Sequence, residues 1–247
     1  MTTFKTRLSQ RSKKSRILLA NDYDFASVNV ERKTIKNIKT LHTFLCGIKL
    51  NLHLLLPLGY KEISRINHTA HLYGLQTVAD IKLNDIRNTN GIATDHLWKM
   101  GFDAVIANPI MGPESLKILA RSAHRQNRGI ISLCHMSSPE ARVAYDMEIR
   151  LGKKQKLYQL FLDWAVSSRV DGIIVGATFP DIIRYAKKTS KKLNIFSPGI
   201  GAQGGYTSEA ISSGSDYLIV GRTILEDKDP KSVLEELHAQ SLLKQPL

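Results

Sequence analysis

Asp80, Lys82 and Asp85 fall within VADIKLNDIRNT, residues 78–89, where Val78, Ala79, Ile81, Leu83 and Ile86 otherwise read as buried. Residues two apart on a strand point to the same side, so Asp80 and Lys82 share a face. A structural ion pair is the default for an arbitrary Asp-x-Lys. Here, however, the charges end an apolar run, where desolvation is costly, and a further carboxylate three residues on adds repulsion rather than neutrality. Flanking carboxylates favour the charged form of a lysine and set a fixed negative charge beside whatever binds there. That chemistry suits an ammonium that must deliver a proton to carbon.

A second constellation lies near the C-terminus. Residues 197–205 read SPGIGAQGG and residues 220–224 read VGRTI. Gly199, Gly201 and Gly204 satisfy G-x-G-x-x-G, but a dinucleotide fingerprint belongs to the first strand–helix turn of its domain, with an acidic residue about 20 positions on. Glycines here instead expose backbone N–H groups to an anion, and Arg222, placed after the apolar run YLIVG, supplies a permanently charged partner for phosphate. His68 and His71 (HTAH) could mimic a metal pair, yet no third ligand is near and they read as helix-face residues. No metal or cofactor is implied. Ser137 in MSSP could equally cap a helix or close a turn.

The elements that must position these groups are legible as short apolar runs. Strands are predicted at 16–20, 44–50, 76–81, 104–107, 129–133, 172–175, 194–197 and 217–220, separated by helical segments. Leu157, Leu160, Phe161 and Trp164 carry helical spacing within 154–165, and Pro113, Pro180 and Pro230 stand where helices could start. Parallel neighbours need crossover connections, and almost wholly apolar strands imply cover on both faces. Eight such units in 247 residues fit a single-domain (β/α)8 TIM barrel, with a doubly wound sheet as the rival. In a barrel, Asp80 and Lys82 end the third strand on the catalytic rim, and the loops after strands seven and eight form the recurrent phosphate site.

With these motifs in view, the chain resembles the orotidine 5′-monophosphate decarboxylase family, in its compact, archaeal-type branch. The resemblance is carried by D-x-K-x-x-D-I from Asp80 to Ile86 with Asn88-Thr89 after it, LLANDYD, GIKLNL, CHMSSP, VGATFPD, SPGIGAQGG and VGRTI, in the family's order across nearly the whole chain. It implies cofactor-independent conversion of orotidine monophosphate to UMP and CO2. Lys82 would protonate C6, and Asp80 would lie by the departing carboxylate. Lys49 would pair with Asp80 and the ribose, and Asp22 would accept from a ribose hydroxyl. Ser137 would read the pyrimidine's amide edge, while Gln203, Gly221 and Arg222 hold the phosphate, with Pro198, Gly199, Ile200, Gly201 and Gly204 around it. Asp85, Ile86 and Thr89 would reach a neighbouring subunit's site, implying a homodimer. Arg87 and Asn108 depart from the family, where relatives often have proline and histidine. A Mg-dependent sugar-phosphate enzyme of the same barrel suite, hexulose-phosphate synthase or keto-gulonate-phosphate decarboxylase, shares D-x-K-x-x-D and is the nearest alternative.

Composition sets the remaining bounds. No apolar run approaches the ~20 residues of a membrane span, no secretory signal opens the chain, and Cys46 and Cys134 form no disulfide or zinc pattern. A cytoplasmic protein with no membrane partner is expected. The charge of +13 favours an anionic substrate. Residues 1–16 hold six Lys or Arg and no acid, read as a basic N-terminal segment over 1–15, solvated and frayed, ahead of a barrel domain over 16–247. A non-catalytic nucleic-acid-binding barrel is the alternative from another class, and the 7% aromatic content argues against nucleic acid as a partner.

Overall fold

The computed structural model describes residues 2–23 and 28–242. All eight apolar runs form strands. In chain order they are β1 (Ile17–Ala20), β2 (Gly47–Asn51), β3 (Gln76–Leu83), β4 (Ala104–Ala107) and β5 (Gly129–His135). An antiparallel hairpin follows, β6 (Glu148–Leu151) with β7 (Lys153–Lys156), and then β8 (Gly172–Val175), β9 (Asn194–Pro198) and β10 (Tyr217–Val220). The eight barrel strands run parallel in the order β1-β2-β3-β4-β5-β8-β9-β10, and β10 pairs back onto β1 to close the ring. Closure decides against the open sheet.

The run at 44–50 becomes a strand only from Gly47, because a short 3-10 turn, His42–Phe44, precedes it. The helix at 154–165 starts at Leu157, its first three predicted residues being taken by β7. Pro113, Pro180 and Pro230 each open a helix, as the missing first-turn N–H allows. Barrel interior and helix-facing positions are alike buried, so the apolar strands have cover on both faces. No helix among the described residues is long and apolar enough to cross a membrane.

The frayed N-terminus is overturned. Residues Phe4–Ser12 form a helix capped by the Thr3 side chain, with Phe4 and Leu8 fully buried. Their i, i+4 spacing puts both side chains on one face, and that face covers the N-terminal mouth of the barrel. Phe4 packs so tightly on Gly129 that a Cβ there would overlap its ring. Arg7 donates to Gln76 and, at 2.9 Å, to Asp103, which also takes His71 and Arg128. The basic segment is therefore packed against the strand starts of the barrel. Phe4→Ala is expected to lower the unfolding free energy by about 3–5 kcal/mol, as for other buried Phe truncations. A denaturant midpoint equal to the parent's would restore the frayed reading.

Candidate active site

Parallel strands bring their C-terminal ends to one rim, and there β1, β2 and β3 place Asp22, Lys49 and Asp80 side by side. Lys49 and Asn51 alternate on β2 and face inward together. The Lys49 ammonium donates to Asp80 at 3.0 Å, to Asp22 at 3.4 Å and to the side-chain amide oxygen of Asn51. Lys82 donates to the other Asp80 oxygen at 2.9 Å. Asp80 is only 8% exposed. Burial alone would disfavour its carboxylate, but the Lys49 and Lys82 ammoniums and their hydrogen bonds outweigh that and hold its pKa below the usual carboxylate range.

Alternation alone does not produce the Asp80–Lys82 contact. Between Ala79, opposite Val105, and Leu83, opposite Ala107, three residues of β3 face the single Ile106. Lys82 takes up this slack in left-handed backbone, at φ 45°. An unbranched lysine in that region is uncommon and costs of order 1–3 kcal/mol. Such bulges gather beside active sites because they re-aim a side chain; here the bulge turns Lys82 into the barrel mouth.

One cavity joins this charge cluster to the anion loop. Its floor is the top layer of the barrel, Ile106, Leu133, Ile174 and Ile219, and its wall includes Asp22, Lys49, Asp80, Lys82, Ser137, Pro198, Gly199, Ile200, Gln203, Gly221 and Arg222. Ser137 sits where two loops close in: a Cβ on Gly176 would lie 2.5 Å from its Cα, and Thr178 donates to its carbonyl at 2.9 Å. Arg222 begins a short helix after β10, and among the described residues it has no ion-pair partner. The cavity is thus charged and tightly paired at one end, apolar beneath, and cationic at the other.

The glycine loop works differently from the sequence expectation. Gly201 donates to the Gly205 carbonyl at 2.8 Å, Gly204 to Gly201 at 2.7 Å and Gly205 to Gly199 at 3.0 Å, while Ala202 donates to the Thr223 hydroxyl. These N–H groups brace the loop and are not offered to an anion. Gly201 needs its φ of 69° and its lack of a Cβ, which would come within 2.5 Å of the Thr223 oxygen. Gly201 and Gly204 lie outside the cavity wall; the loop presents Gly199, Ile200, Ala202 and Gln203 to the cavity, and beside it stands the first turn at Arg222, whose leading N–H groups have no intrahelical acceptor.

Asp85, Ile86 and Thr89 also lie outside this chain's cavity and are exposed. Asn90 pins their loop by accepting from the Asp85 N–H and donating to its carbonyl. Ile86 is 71% exposed, an apolar side chain held out on the rim. Arg87 occupies the first helical position, where proline also fits. Asn108 caps the turn after β4, accepting from Ile110, and stands outside the cavity wall. His71 is spent on Asp103 at the opposite end of the barrel. Asp24, the last residue of LLANDYD, lies outside the described residues. Asn51 was not singled out from sequence, though its place two residues after Lys49 in GIKLN carried the signal; Thr223 and Thr178 gave none.

Comparison with known proteins matches residues 16–237 to the model of the orotidine 5′-phosphate decarboxylase / HUMPS family. An orotidine 5′-phosphate decarboxylase of Thermococcus kodakarensis is 30% identical, over 92% of this chain and 97% of that one. Its counterpart in Pyrococcus abyssi is 30% identical over 84% and 92%. The solved structure of the Methanocaldococcus jannaschii orotidine 5′-monophosphate decarboxylase complexed with the inhibitor BMP superposes with a TM-score of 0.77 at 25% identity, covering 93% of this chain and 99% of that one.

Proposed function

The chain belongs to the orotidine 5′-phosphate decarboxylase / HUMPS family, and we propose that it converts orotidine 5′-monophosphate to UMP and CO2 with no cofactor. The observation that carries this reading is the continuous cavity from the Lys49–Asp80–Lys82 cluster to Arg222. The pyrimidine lies over the apolar floor against Ser137, the ribose lies beside Asp22 and Lys49, and the phosphate meets Gln203, Gly221 and Arg222. The C6–carboxylate bond breaks, CO2 leaves, and its electron pair remains at C6. Lys82 stabilises that charge and transfers a proton from its ammonium to C6; solvent reprotonates it after release. Asp80, near the departing carboxylate, keeps Lys82 cationic and aimed. Preorganised charge in a site closed from water supplies most of the acceleration, and phosphate binding far from C6 contributes by drawing the loops over the ring.

Turnover followed by loss of the orotate chromophore, with thorough chelation, tests this reading against the sugar-phosphate alternative. Full activity is expected in chelator; activity that disappears and returns with Mg²⁺ would favour the enediolate chemistry of the related enzymes. Asp85, Ile86 and Thr89 complete the site of a second copy of the chain, a role supported by their exposure on the rim beside the site. Sedimentation should therefore give a dimer, and a fully active monomer would contradict the shared site. Buried, unpaired cysteines at positions 46 and 134 accord with a reducing cytoplasm.

A further inference from the structure

The N-terminal helix lies across the end of the barrel opposite the catalytic rim, held at the strand starts by Arg7, Arg11 and Lys5. Lys13 and Lys14 follow that helix, and Lys191 and Lys192 precede β9 at the same end; all four are exposed. Among the described residues none of the four is in an ion pair. Asp103, Asp171 and Asp216 at this end turn inward and are paired with Arg7, Arg128, His71, His124 and Lys187, while Asp95 accepts from Gln126. A groove between the helices Pro113–Arg125 and Leu157–Ser168 adds Arg121, Arg125 and Arg169 with no acid in its lining, Lys117 there being paired with Glu114.

Helix dipoles account for part of this, since a cation at a helix C-terminus is locally favoured. They do not account for a sixteen-residue segment without an acid or for the pair at 191–192, which lies beyond the helix ending at Thr189. We propose that this face binds the phosphodiester backbone of nucleic acid, as a second function of the barrel. The surface is dominated by lysines, which act as point charges and need no matched geometry. No large apolar side chain is exposed within 2–16 or 187–193, so the lysine clusters themselves carry none of the anchors that centre protein interfaces or would enter a lipid surface; the exposed Leu72 and Val166 are single residues on two different helices. The sequence expectation against nucleic acid rested on the shortage of aromatics for base stacking; phosphate contacts need none and are indifferent to sequence.

The test uses the full-length enzyme and a labelled single-stranded RNA of mixed sequence, read by anisotropy across a salt series. Binding should weaken with a log–log slope of about −3, for about four phosphates neutralised on a single strand. A DNA strand of the same length should bind comparably. The quadruple variant Lys13→Glu, Lys14→Glu, Lys191→Glu, Lys192→Glu should lose about tenfold or more in affinity at fixed salt, with nucleotide turnover unchanged as the control for folding. Salt-independent binding, no RNA binding at low salt, parental affinity in the charge-reversed variant, or retention of polyglutamate or anionic vesicles in preference to RNA would each overturn the proposal.

Discussion

Lys82→Ala loses turnover by about 10⁴-fold or more while UMP remains bound, as measured by chromophore loss and by calorimetric titration. Two contributions disappear together. A positioned acid contributes about 10²–10⁴, and one preorganised charge at a developing anion about 10²–10³. The ring and phosphate contacts lie elsewhere in the cavity, at Ser137 and Arg222, so ground-state binding survives. The loss should therefore fall on kcat rather than KM, the pattern of an interaction made only in the transition state. Folding should not suffer, because Lys82 is half-exposed, Asp80 keeps its pair with Lys49, and alanine meets the same left-handed backbone that lysine does. Robust turnover in this variant would end the proposed mechanism.

Asp80→Asn has the second large effect, and it strikes stability as well as rate. The carboxylate sits between two ammoniums, and Lys49 is itself 4% exposed. Breaking a buried pair from one side costs about 3–5 kcal/mol, and Lys49 would keep only its longer, 3.4 Å pair with Asp22, which places the expected loss toward the lower end of that range. With Lys82 no longer tethered at 2.9 Å, kcat should fall about 10³-fold, since an ångström of misplacement alone costs about 10². The pH dependence has a defined sign. Asp80's pKa is depressed in the folded state, so its contribution to stability is present above the unfolded carboxylate value of about 3.9 and is lost as pH falls through the folded one. In the Asn variant that part of the acid limb should vanish. An unchanged acid-unfolding profile would show that Asp80 is not held as the structure has it.

Much of this arrangement was legible in the sequence because barrel strands with cover on both faces cannot hide: runs such as GIIV and YLIV have no polar face to interrupt them. The hairpin at 148–156 was not legible, since EIRL and KKQK present few apolar residues and pair mostly in solvent. The N-terminal helix was masked by its charge, although Phe4 and Leu8 stand one helical turn apart. In the sequence, Asp80 and Lys82 are paired by strand alternation and Lys49 joins them only through the family resemblance, so the reason is incomplete. Strict alternation would bring Asp80 and Lys82 to one face of a regular strand, whereas the protein inserts extra residues opposite Ile106 and twists Lys82 into place. Backbone irregularity of this kind leaves no mark on hydrophobic pattern. The glycine loop shows the reverse: its pattern suggests N–H groups offered to a ligand, but those of Gly201, Ala202, Gly204 and Gly205 hold the loop's own shape.

The central claim concerns one distance, and a crystal structure of the enzyme with UMP bound measures it. The Lys82 nitrogen should stand about 3–3.5 Å from C6, the reach required of a proton donor, with the phosphate in contact with Arg222. A nucleotide seated with its phosphate at Lys82, or with C6 beyond about 5 Å from that nitrogen, would contradict the account.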